Sequence, residues 1–287
     1  MNKLQYITLL FLLMCFSQIG LCIEHRAFPK LDSVSSIHAY EQPPQIIKSR
    51  KGRVTDLRVS DDFISGISHY PEMKFKDKRE LLSTLELMLS DKKNPAKQAE
   101  MFRQIEQSEL LTSEEKVIWL KPRINKLPAP FTMLLAKFVA PTNLDEAFKW
   151  KVLSQLRMKI DATKCKDQSV YEGINLIELY YLDSFFDIMV AYYGKHGDVS
   201  KLTNEYLNDE FNRRNLQAIK AALQYHSAHA YQLQYPYWLN NHGMNHLKMV
   251  MKNHQNPAKK DVFITALDSR NKEKQLIAMF QQVAKTL

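Results

Sequence analysis

From Lys78 onward, apolar residues recur at intervals of three and four, the period of a helix with one buried face. Leu81, Leu82, Leu85, Leu87, Met88 and Leu89 predict a helix over 78–90. Asn94-Pro95 is a cap followed by a proline where no backbone N–H is needed, and it opens a helix to about 107 with Met101, Phe102 and Ile105 inward. Thr112 with Glu115 three residues later is a capping box, in which each side chain satisfies the other's backbone N–H; it opens a helix carrying Val117, Ile118 and Leu120. A short helix over 129–139 ends before Pro141. Leu144, Phe148, Val152, Leu156 and Ile160 keep a four-residue spacing, with Leu153 beside them, and predict a helix from Asn143 to about Asp161.

The densest apolar run outside the N-terminus is 174–193. On a helical wheel its polar side chains leave only a narrow strip, which Asp183 and Asp187 share. A helix apolar nearly all round is expected at the centre, with the other helices packed about it. Glu178, Asp183 and Asp187 argue against a membrane span, because carboxylates are costly in hydrocarbon. Gly194 to Gly197 stops this helix. A short helix capped by Asp198 or Ser200 follows, running to about 207, and then a long one over 208–232. Pro236 restarts the chain into a helix over 237–253, Asn256-Pro257 opens a short segment, and 269–286 is a closing amphipathic helix with Leu276, Ile277, Phe280 and Val283.

The pattern therefore predicts an all-α protein: one domain of about eight to ten helices over 76–287, with short connections that favour antiparallel neighbours. No repeat signature accompanies the helical hairpins at 94–126 and 198–233. Residues 23–75 carry Pro29, Pro43, Pro44 and Pro71 and only short apolar patches, and read as an extended, partly mobile arm.

Residues 1–22 change the picture again. Lys3 is a positive n-region, 6–16 an apolar core, and Gly20 and Cys22 stand at the positions a signal peptidase reads before Ile23. The expectation is export to the periplasm or medium after cleavage near Cys22-Ile23, with an uncleaved N-terminal anchor as the alternative. Lipidation at Cys22 fails on Leu21, which is too large for a lipobox. Once 1–22 are removed, Cys165 is the remaining cysteine, so no intramolecular disulfide is expected. Lys164 and Lys166 flank it, which makes Cys165 a candidate reactive thiol, against the commoner reading of an inert, part-buried side chain.

Composition is that of an ordinary globular protein, 45% hydrophobic and 25% charged, with only 7 glycines. The net charge of +9 favours anionic partners: an acidic protein, a lipid headgroup or nucleic acid. The basic cluster Lys48, Arg50, Lys51, Arg53 and Arg58 and the basic C-terminal end lack the interleaved aromatics of a single-strand binding surface, so no specific nucleic-acid signature is present.

Four kinds of side chain are candidates for chemistry. His226 and His229 are three apart, and His242 and His246 are four apart, so each pair shares a face of a continuous helix. If 208–232 folds back against 237–254, the four imidazoles meet and suit zinc or copper, with Asp183 or Asp187 as carboxylate partners. Against this, Gly243 stands where a zincin has its Glu, and no Glu-x-x-His occurs. Asp183 and Asp187 could form an acid–base pair if half-buried, although pairing with basic neighbours is the plainer reading. Tyr231, Tyr235, Tyr237 and Trp238, with Tyr225 nearby, flank Pro236 as a corner that could line a ligand, or pack as core. No Gly-rich phosphate loop, Gly-x-Ser-x-Gly elbow or Cys-x-x-Cys occurs.

The function expected from the sequence is a non-catalytic exported helical protein that binds a partner through its basic and aromatic C-terminal half, with no cofactor. The alternatives are a metal-binding protein or metal-dependent enzyme built on His226, His229, His242 and His246, and peripheral association with an acidic membrane surface.

Overall fold

The computed structural model describes residues 73–91, 93–197, 203–232, 235–239 and 263–285. The expected signal peptide and all but the last residues of the arm lie outside these residues, as do His242, His246, most of the helix expected at 237–253, and the side chain of Asp183.

The described residues form eight α-helices and no strand: α1 (Lys78–Ser90), α2 (Pro95–Gln107), α3 (Ser113–Leu120), α4 (Pro130–Val139), α5 (Leu144–Thr163), α6 (Val170–His196), α7 (Asn204–Ala228) and α8 (Ala266–Lys285). Short 3-10 turns follow α3 at Lys121–Arg123 and precede the last segment at Tyr237–Leu239. The all-α reading holds. The helix starts follow the sequence's own signals. Asp77 accepts the Glu80 N–H at 2.9 Å, and Asn94 accepts that of Lys97 at 3.2 Å. Thr112 and Glu115 close the capping box, with both bonds formed at 3.0 and 3.2 Å.

Two elements differ from expectation. The break expected near 207 is absent. Thr203 caps α7 by accepting the Tyr206 N–H at 3.1 Å, and one helix continues to Ala228. Asn208, where the second helix was to start, lies within it, because one asparagine lowers helix propensity without breaking a run rich in Leu, Ala and Gln. The more important difference concerns the centre. The place expected for 174–193 is held by α5, which packs against α4, α6, α7 and α8. Among the described side chains of α6, Val170, Ile174, Ile177, Tyr181, Phe185, Phe186 and Met189 are buried, while Asn175 and Asp187 are exposed.

The core grows outward from α5. Phe148 meets Phe185 of α6 and Phe211 of α7 edge-on, each at 5.4 Å, and Phe211 stacks on Phe186 at 4.8 Å. Helix α5 buries charge as well as apolar area: Lys151, Arg157 and Asp161 are all inside. Lys151 donates to Asn215 Oδ1 at 2.9 Å and lies 4.8 Å from the centre of the Phe211 ring.

Burial pushes the Lys151 ammonium down from its ordinary 10.5 to about 8, with Glu178 opposing the shift. A lysine whose folded value lies below its unfolded value leaves the native state poorer in protons between the two. Stability is therefore expected to rise as pH increases from about 8 towards 10.5, by on the order of 3 kcal/mol from this group. Lys151→Met should remove that rise. Urea midpoints of both proteins at pH 7.5 and pH 10 check it; the same pH dependence in both contradicts it.

Candidate functional site

A cleft of about 290 Å³ opens where the α5–α6 connection, the chain after α7 and the start of α8 meet. Its position is set by a buried polar cluster beneath it. Asp161, with no exposed surface, accepts from the Tyr231 hydroxyl at 2.9 Å, the Trp238 indole N–H at 3.0 Å and the Lys164 ammonium at 3.2 Å. Burial pushes the Asp161 carboxyl up, and these three donors oppose it. One turn back, the buried Arg157 donates to the Ile124 carbonyl at 3.0 Å and to Asn125 Oδ1 at 2.5 Å, and its guanidinium covers the Tyr231 ring at 4.6 Å. The Gln232 N–H donates to the Asn125 carbonyl at 2.8 Å. A single helix thus ties the 231–239 segment to the body through two charged side chains, Arg157 and Asp161, four positions apart.

Helix α8 closes the other wall. An isolated antiparallel bridge joins Cys165 to Phe263, and the Ile264 N–H donates to the Lys164 carbonyl at 2.9 Å. The Tyr235 ring packs on Phe263 at 5.2 Å, and Tyr237 meets the same ring edge-on at 5.4 Å. His226 Nε2 of α7 lies 3.8 Å from Glu273 Oε1 of α8; its imidazole pulls the Glu273 carboxyl below the usual range, against the effect of burial.

The four residues of the expected corner divide between different tasks. Trp238 is fully buried and, like the Tyr231 hydroxyl, serves Asp161. Tyr231 and Tyr235 line the cleft, and Tyr235 is 42% exposed. Tyr237 backs Phe263. The residues that complete the cleft, Lys164, Phe263, Arg270 and Glu273, were not singled out from the sequence. A weak signal existed. Arg157 and Asp161 stand one position beyond Leu156 and Ile160, a charged column directly beside the apolar stripe of α5.

The histidine pair in α7 does not converge. The helix ends at Ala228, so His229 sits at the C-cap in extended backbone and the shared-face rule no longer applies. His229 stacks on Tyr225 at 4.0 Å, while His226 turns to Glu273. Among the described residues no group of three His, Cys, Asp or Glu could hold a metal ion. Asp187 is exposed, where the acid–base reading needs a half-buried side chain.

Cys165 is buried, and its Sγ donates to the Asp161 carbonyl at 3.6 Å. Burial, helped by the Asp161 charge, pushes its thiol up to about 12. This corrects the reactive-thiol expectation: the Lys164 charge does favour the thiolate, but burial and the Asp161 charge outweigh it. Alkylation by maleimide at pH 7.5 is expected to be at least about a hundredfold slower in the folded protein than in denaturant. Equal rates contradict it.

Among the described residues no helix is long and apolar enough to cross a membrane. Set beside known proteins, the chain matches no family model, no curated protein and no solved structure.

Proposed function

We propose that this is an exported, non-catalytic binding protein whose C-terminal half holds its partner in the cleft between the 231–239 segment and α8. The observation that carries the reading is the meeting of aromatic and basic side chains there: Tyr231, Tyr235 and Phe263 with Lys164 and Arg270. Concave sites lined by aromatic surface with a few polar groups are the usual form of a ligand site. The leader-like residues 1–22 support export. Of the described side chains at the cleft, the Cys165 thiol is buried and protonated, and the Asp161 and Glu273 carboxylates are engaged with Tyr231 and His226.

The test is capture. Residues 23–287, immobilised, are exposed to extract and medium from the producing cells beside a Tyr235→Ala/Gln232→Ala variant. At least one small molecule or protein should be retained near stoichiometrically by the first and lost by the second. Identical retained sets from two equally folded proteins sink the reading.

A further inference from the structure

The polar side chains of the cleft fall into two groups. Lys164 and Glu273 are engaged, with Asp161 and His226 respectively. Arg270, Ser269 and Gln232 line the same cleft, and among the described residues their side chains have no hydrogen-bond or ion-pair partner. For Arg270 this is unusual. Glu273 stands three positions along the same helix, where an Arg–Glu pair ordinarily closes. Glu273 turns instead to His226 on α7, so the guanidinium is left open.

The open groups are a planar two-armed cation, a hydroxyl and an amide, all able to donate to an oxyanion. The cleft lies against the first turns of α8, whose amino end adds positive potential in the same direction. Beside them the Tyr235 and Phe263 rings, 5.2 Å apart and tilted 39°, offer a wall against which a flat ring can lie. The volume of about 290 Å³ admits one such ring with its substituent.

From this geometry we infer that the cleft binds a small aromatic molecule bearing one oxyanion, a carboxylate or a phosphate, with the oxyanion on Arg270 and the ring against Tyr235 and Phe263. The inference rests on the cleft being the binding site proposed above and adds the chemical class of the ligand. Glu273, ionised at the same wall, favours a monoanion over a dianion, so a phosphate ligand is held best in its singly charged form. A neutral aromatic leaves the guanidinium without a partner, and an oxyanion without a ring leaves the aromatic wall wet.

The experiment is titration calorimetry of residues 23–287 with benzoate, phenyl phosphate, benzamide, acetate and inorganic phosphate at low salt. Benzoate or phenyl phosphate should bind one to one, at least tenfold tighter than benzamide, acetate or inorganic phosphate; which of the two is tighter identifies the oxyanion. Arg270→Gln should lower that affinity at least tenfold and leave benzamide unchanged, with the melting temperature unaltered because Arg270 is exposed and has no ion-pair partner among the described residues. Tyr235→Leu should weaken the aromatic ligands alone. Benzamide binding as tightly as benzoate, acetate binding as tightly as benzoate, or an Arg270→Gln variant with undiminished affinity each overturns the inference. If none of the five probes binds while capture still depends on Tyr235 and Gln232, the ligand class is wrong and the cleft reading stands. If capture fails as well, both fall.

Discussion

Asp161→Ala is expected to cost about 3–5 kcal/mol of stability, the largest effect of any single substitution at the cleft. The carboxylate is wholly buried and accepts from Tyr231, Trp238 and Lys164. Its own burial is unfavourable, as the upward push on its carboxyl shows. Removal nonetheless costs more than retention. Two neutral donors and an ammonium lose their acceptor inside the protein, and each unsatisfied group costs about 1–3 kcal/mol, more for the charged one. Asp161→Asn keeps one acceptor oxygen and turns an amide N–H₂ towards donors, so it should lose about half as much. Urea unfolding followed by far-ultraviolet circular dichroism reads both. A loss below about 1 kcal/mol for the alanine variant would show that the three donors find other partners. The pH dependence follows from the same carboxyl. A folded value raised above the unfolded one makes the native state the better proton binder between the two. Asp161 thus favours folding more at the acid end of that window, and this contribution fades as pH rises through its folded value.

The second large effect is expected at Arg157. Arg157→Ala should lose about 3–4 kcal/mol through two causes that a second variant separates. The guanidinium holds the Ile124 carbonyl and Asn125, and Asn125 in turn holds the Gln232 N–H at 2.8 Å. The aliphatic stem fills fully buried space. Arg157→Met keeps the stem and loses the donors, so it should recover about half of the loss. The functional consequence is local. Amide hydrogen exchange at Gln232 should accelerate in both variants, since its acceptor Asn125 is no longer held. Unchanged exchange there, with stability within about 1 kcal/mol of the parent, would remove Arg157 from the anchoring of the cleft.

Both predictions concern α5. Its stripe of Leu144, Phe148, Val152, Leu156 and Ile160 was legible, but Lys151, Arg157 and Asp161 were not singled out from the sequence. In the structure those three are inside, each with a partner on another element. Helix α6, richer in apolar residues, was expected at the centre; α5 packs against more of the other helices, because apolar density measures how much surface a helix prefers to bury and not where its neighbours stand. Charged side chains can be buried wherever partners at long range satisfy them, and those partners are Asn215, Asn125, Tyr231 and Trp238.

What the sequence determined by itself was local. Caps at Asp77, Asn94, Thr112 and Asn143, prolines at helix starts and a 3.6-residue apolar period fix an all-α chain and most of its helix starts, because each signal acts within one turn of backbone. The aromatic corner near Pro236 was visible for the same reason, being contiguous in the chain. Only the tertiary structure decided which of those rings face a cleft and which serve Asp161, that His226 turns to Glu273 and away from His229, and that Cys165 is shut in. It alone brought Arg270 and Tyr235 to one cleft. Those outcomes depend on contacts between residues tens of positions apart, which no period or spacing encodes, and on burial, which changes the chemistry of a side chain without changing the sequence around it.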